Sequence, residues 1–221
     1  MTPGPKFSEL ATTPDPDLDR LALALAAEFR EVDARSALAR LDDLGAELAD
    51  AAATAMGDPA GEADACAAVL GDRHGFEGNR EDYHHPDNSM LDCVLERRKG
   101  LPIVLSVVYV EAARRAGLPI HPVGLPGHFL VAHFGADPPL MLDPFAGGRP
   151  LNDRPEPRLV RPWGPHETAL RMLNNLVHAY TQHPDLTCAI HAAELRLALP
   201  AAEDLRVKLE AEARGLRARL N

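Results

Sequence analysis

Apolar side chains recur at spacings of three and four through the first quarter of the chain. Leu18, Leu21, Leu25, Phe29 and Val32 share one face of a helix that starts near Asp17. Leu38, Leu41, Leu44 and Leu48 line a second helix from about Ala34, and Gly57-Asp58-Pro59 closes it. A shorter helix is predicted over 62–70. Ahead of all these, residues 1–16 are rich in Pro and Thr and read as a loose arm.

The middle of the chain changes character. Residues 74–88 hold few aliphatics and many turn formers, the pattern of a structured loop. Ser89-Met90-Leu91-Asp92 has the spacing of a capping box for a helix ending near Lys99-Gly100. Pro102 suits the first turn of the next helix, and Gly117 is placed to end it. Three strand-like runs follow, 119–123, 128–134 and 140–143, the last two separated by the turn sequence GADPP. A loop rich in Pro and Arg (147–163) leads to helices at about 166–182, 186–199 and 202–219. A helix pair followed by a third helix resembles part of a TPR array, one unit being too short for an independent solenoid. The expected division is an arm (1–16), an α+β domain with N-terminal helices (17–160) and a TPR-like helical tail (161–221).

Hydrophobic residues are 46% of the chain but aromatics only 5%, so Leu, Val and Ala must fill most of the core. The net charge of −10 repels phosphate backbones and argues against nucleic acid as a partner. Cys66, Cys93 and Cys188 are odd in number and share no spacing, which fits neither a disulfide framework nor a metal site. No run reaches the roughly twenty apolar residues of a membrane helix, and the first residues lack the apolar core of a secretory signal. These features predict a cytoplasmic protein.

Two polar residues stand at strand ends. His128 opens one strand after Leu125-Pro126-Gly127, and Asp143 closes the next, before Pro144. A carboxylate beside an imidazole fixes its tautomer and stabilises its charged form, as a general base requires. A structural His beside a turn-forming Asp is the competing explanation. Pairing register bears on the choice, because side chains alternate faces. If Phe134 pairs with Leu140, Asp143 falls opposite Val131 and His128 faces away. If the loop spans about 133–138, Asp143 falls opposite His128.

The segments EGNREDYHHPDNSMLDCVLERRKGLPI, GLPGHF and LDPF, with the helix between them, resemble the transglutaminase-like superfamily. Within it they are most similar to the bacterial SirB-type branch, in which the core is joined to a TPR-like tail. The resemblance spans roughly residues 20–200. It implies a papain-like α+β core, a central helix on a small antiparallel sheet, with His128 and Asp143 matching the superfamily's His and Asp. The superfamily's enzymes carry a cysteine at the start of the central helix, where the dipole lowers its pKa. Counting back from Arg114…Gly117-Leu118-Pro119 puts that position at Pro102, which has no nucleophilic atom.

Two residues could substitute. Ser106 is one turn further along the same helix face, some ~6 Å deeper. Cys93 lies mid-helix beside Val94 and Leu95, where a buried packing thiol is the ordinary explanation. Among the histidines, His128 and His133 differ by an odd number and face opposite ways on one strand, and adjacent His84 and His85 diverge. His121 adds no ligand spacing, so no metal and no cofactor is expected. Glu96, Arg97, Arg98 and Lys99 read as a solvated helix end or an anion contact. Asn79, Tyr83 and Asn88 either organise their loop or, with Pro102, border a ligand groove. The favoured expectation is a pseudoenzyme: a groove lined by His128, Asp143 and Ser106 that binds a peptide or small amide, with the tail contacting a protein partner. The alternative is a hydrolase or acyltransferase using Ser106 or Cys93 with His128 and Asp143. A purely structural module is the third possibility.

Overall fold

A computed structural model describes residues 5–151 and 155–220. Its elements run α1 (Phe7–Ala11), α2 (Leu18–Ala27), α3 (Ala34–Ala52), α4 (Pro59–Cys66), β1 (Glu77–Gly78), α5 (Leu91–Arg97) and β2 (Lys99–Gly100). Then come α6 (Pro102–Arg115), β3 (Ile120–Leu125), β4 (His128–His133), β5 (Leu140–Asp143), β6 (Arg149–Pro150), α7 (Pro165–Gln182), α8 (Leu186–Leu195) and α9 (Glu203–Ala218).

Helix α6 is the centre of the molecule. Every residue from Ile103 to Ala113 is buried, and a helix apolar around most of its circumference must be covered on all sides. It packs against α3, α5, β3 and β4. Pro102 occupies its first turn as expected, and Gly117 follows it in the left-handed region at φ +75°. Strands β3, β4, β5 and β6 form one antiparallel sheet in that order. Phe129, Val131 and Leu142 join the main core, while Val123, Leu130, Ala132 and Met141 form a small cluster on the other face. This is an α+β architecture with a small antiparallel sheet, consistent with a transglutaminase-like core.

Two polar networks fasten the helices. Arg115 at the end of α6 reaches Asp19 on α2 (2.6 Å), Asp42 on α3 (2.7 Å) and its own helix's Glu111 (2.7 Å). Glu62 of α4 meets His133 of β4 at 2.5 Å, both buried.

Several expectations need correcting. The segment ahead of Asp17 is not simply a loose arm: α1 buries Phe7 and Ala11 and packs on α2. One bulky side chain suffices to dock it, and five residues show no periodicity. Residues 1–4 of that arm lie outside the described residues. Helix α2 stops at Ala27, before Phe29 and Val32. Gly57-Asp58-Pro59 opens α4 as much as it separates the helices, since Asp58 caps the Ala60 N–H at 3.2 Å. The helix predicted over 62–70 runs as α4 followed by a π-helical turn, Ala67–Arg73.

Ser89 does not cap α5. It lies inside a 3-10 turn, Pro86–Ser89, which His85 caps by accepting the Asp87 N–H at 3.2 Å. Asp92 turns instead to Arg30, 3.3 Å away. The helix ends at Arg97, and Arg98 adopts φ 60°. Lys99 and Gly100 form the two-residue parallel pairing β2 with β1, which carries no sequence signature. In the tail, α7 packs on α8 and α8 on α9. The 147–163 loop contains β6, and its residues 152–154 lie outside the described residues.

Candidate functional site

The sheet takes neither of the two registers considered. His133 pairs with Leu140, Ala132 with Met141 and Val131 with Leu142. Phe134 leaves this ladder because its N–H donates to Pro119 O at 2.8 Å. His133 Nδ1 accepts the Gly135 N–H at 3.1 Å, which turns the chain one residue earlier than a tight loop would. Extending the ladder puts Asp143 beside Leu130, and Leu130 shares its face with His128. The two polar residues therefore meet diagonally, with His128 Nε2 3.6 Å from Asp143 Oδ2. That spacing is an electrostatic contact longer than a hydrogen bond.

Asp143 has a second duty. Its Oδ1 accepts the Phe145 N–H at 2.9 Å and so caps the 3-10 turn Pro144–Ala146. One carboxylate thus faces His128 with one oxygen and fixes the Phe145 backbone with the other. The chain then turns through Gly147 and Gly148, both with φ above 70°. A Cβ on Gly148 would come within 2.6 Å of the Tyr109 ring, so α6 packs directly beneath this turn. The Tyr109 hydroxyl is buried with no hydrogen-bond partner among the described residues, and burial pushes its pKa upward.

The preceding loop closes on the same turn. Asn79 Nδ2 donates to Asn88 Oδ1 at 3.0 Å, and Asn88 Nδ2 donates to Asp82 O (2.6 Å) and Tyr83 O (3.2 Å). Both asparagines are buried, so they organise the loop. Tyr83 is exposed and packs edge-on to Phe145, whose ring lies close to Gly78. The Arg80 guanidinium sits 4.8 Å from the Phe145 ring centre. Phe145, Arg80, Arg149 and Tyr109 were not singled out from the sequence. Phe145 was visible only as the last letter of LDPF.

Among the described residues the remaining candidates make no hydrogen bond to His128 or Asp143. Ser106 is fully buried, and its hydroxyl donates to Pro102 O at 2.8 Å, back into its own helix. Cys93 is buried against Arg30. Burial, followed by the charges of Asp92 and Asp87, pushes its thiol up to about 12. Cys66 is likewise pushed up to about 12 by burial and then Glu62. A thiol so protonated is a poor nucleophile. Among the described residues no group of three or more His, Cys, Asp and Glu is arranged to hold a metal ion, and no helix is long and apolar enough to cross a membrane.

Gly71 tests how tightly this region is built. A Cβ there would stand 2.1 Å from Gly147 O, a backbone atom that cannot swing aside. Gly71→Ala is expected to cost about 1–3 kcal/mol by overpacking. Gly215→Ala, with open space around it in α9, should stabilise by up to about 1 kcal/mol. Urea unfolding of both variants checks the contrast; equal effects would contradict it.

Comparison with known proteins identifies the family. The sequence profile of the transglutaminase-like superfamily matches residues 35–178. The UPF0162 protein of Xylella fastidiosa (strain Temecula1) is 42% identical over 125 residues, covering 48% of this chain and 44% of that protein. The UPF0162 protein of Vibrio cholerae is 35% identical over 74 residues, 33% of this chain and 27% of the relative. F-box only protein 21 of Mus musculus is 46% identical over 68 residues, 31% of this chain and 11% of its own length. The chain spans less than half the length of these curated relatives. No solved structure matches. With the profile covering α3 to α7, including α6, the sheet and both His128 and Asp143, this chain belongs to the transglutaminase-like superfamily.

Proposed function

We propose that this protein is a pseudoenzyme of its superfamily, which binds an extended peptide or small amide at the surface around His128 and Asp143. The observation that carries the reading is His128 itself. Its side chain is 42% exposed beside a carboxylate, and among the described residues neither a hydroxyl nor a thiol hydrogen-bonds its ring. A neutral imidazole both donates and accepts, which suits an amide's carbonyl and N–H. Pro102, at the position the superfamily's enzymes give to cysteine, supports the same conclusion.

The rival, a hydrolase or acyltransferase, needs a nucleophile within about 3 Å of the imidazole. The commitment of Ser106 to Pro102 O and the protonated state of Cys93 both weigh against it. The finer affiliation with the SirB-type branch, and a role for α7–α9 as a TPR-like surface that meets a protein partner, belong to the same reading.

Selection from a displayed peptide library tests the proposal. Peptides enriched on wild type should bind at least roughly tenfold more weakly to His128→Ala, the loss of about 1.4 kcal/mol of contact. Circular dichroism must show the variant folded. Peptides that bind wild type and the folded variant equally would sink the assignment of this surface.

A further inference from the structure

Beyond Asp143 the surface dips into a pocket of about 380 Å³, lined by Gly71, Asp72, Glu77, Arg80, Phe145, Gly147 and Arg149 among others. Its volume is at the small end of the roughly 300–1,000 Å³ typical of ligand pockets, enough for the end of a chain and too little for a long stretch. Two cations face it. The Arg80 guanidinium lies over the Phe145 ring, 4.8 Å from its centre, a cation–π contact that suits a guanidinium. Arg149 is the ladder partner of Asp143. Most of the arginines form ion pairs, but among the described residues neither Arg80 nor Arg149 has a carboxylate within salt-bridge distance.

The acidic lining narrows the choice of ligand. Glu77 is already occupied by Lys99 at 3.2 Å, which leaves Asp72 as the acid on the rim that forms no ion pair among the described residues. A dianion such as phosphate would meet Asp72 as a like charge. A carboxylate with a neighbouring amide N–H fits both signs: its oxygens meet the guanidiniums and its N–H meets Asp72. The pocket is also tied to the His128 surface by construction, since Asp143 holds the Phe145 backbone with one oxygen and faces His128 with the other.

We infer that this pocket takes the carboxylate of a peptide, with the adjacent amide N–H at Asp72 and the next amide back along the chain across His128 and Asp143. The inference rests on the peptide-binding reading and adds which part of the ligand goes where. A carboxylate could come from a free C-terminus or from an acidic side chain.

Amide signals of the intact protein, followed by NMR, separate these sources. Four probes serve: N-acetyl-alanyl-alanine, its C-terminal amide, N-acetyl-glutamic acid α-amide, and inorganic phosphate. The free acid should shift Gly71, Phe145 and Gly147 at least roughly tenfold more tightly than its amide. Arg80→Gln and Arg149→Gln should each weaken it about fivefold or more without changing the melting temperature. A glutamate probe matching the free acid identifies the source as a side chain, and one resembling the amide identifies a C-terminus; either supports the inference. Equal binding of acid and amide, indifference to both arginine variants, tighter binding of phosphate, or silence of these signals with every probe would overturn it. Shifts confined to His128 and Asp143 with acid and amide alike would leave the broader binding surface standing and remove only the pocket.

Discussion

Replacing Arg115 with methionine is expected to lower the free energy of unfolding by about 3–5 kcal/mol, the usual result of removing one partner from a buried ion pair. Methionine keeps most of the aliphatic stem, so the loss reports charge and hydrogen bonds. Asp19 and Glu111 are almost wholly buried. Without Arg115 their remaining cation is Arg114, 2.9 Å from Glu111 and 3.6 Å from Asp19, and more than half exposed. The effect carries a pH signature. Burial, then Asp19, already holds the Glu111 carboxyl above its ordinary value, with both arginines opposing. A raised folded pKa contributes stability that is present below the ordinary glutamate value of about 4.3 and is lost as pH rises through the folded value. Deleting Arg115 raises that folded value further. The deficit should therefore be largest near pH 8 and shrink toward about pH 5.5. Urea unfolding at the two pH values checks this; a deficit under about 1 kcal/mol, or one independent of pH, contradicts it.

Glu62→Ala is expected to cost about 3 kcal/mol, because one carboxylate serves two donors. Its Oε2 meets His133 Nε2 at 2.5 Å, and its Oε1 accepts the Gly57 N–H at 2.7 Å. Since His133 Nδ1 accepts the Gly135 N–H, the hydrogen-bond network assigns the ring proton to Nε2, which then donates to Glu62. Alanine orphans that buried donor and releases α4 from β4. Glu62→Gln keeps an acceptor of the same shape and should cost about 1 kcal/mol. Thermal melts of the pair decide the matter. A glutamine variant as damaged as alanine would mean that charge, rather than hydrogen bonding, holds the two elements together.

The helices were largely legible in the chain because long amphipathic stretches repeat their signal. Leu41, Leu44 and Leu48 appear where their spacing puts them, and Pro102 and Gly117 frame α6 as their backbone chemistry requires. What escaped notice was short or non-local. Helix α1 is fixed by Phe7 with Ala11 beside it, and β1 with β2 by two backbone pairings. The register between β4 and β5 depended on Phe134 N–H choosing Pro119 O, just ahead of β3, a competition that the pattern of neither β4 nor β5 encodes. The same holds at the candidate site. His128 and Asp143 stood out by type and spacing, whereas Arg80 and Phe145 meet only because the 74–88 loop folds back over the turn after β5.

The most direct test of the proposed pseudoenzyme is electrophile labelling of the folded protein. Fluorophosphonate and iodoacetamide are added to wild type and to His128→Ala, and adducts are located by mass spectrometry. The account predicts no adduct at Ser106 or Cys93. Any slow alkylation falls on Cys188, the half-buried thiol, and does not respond to the loss of His128. Single-site labelling of Ser106 or Cys93 that disappears in folded His128→Ala would contradict it.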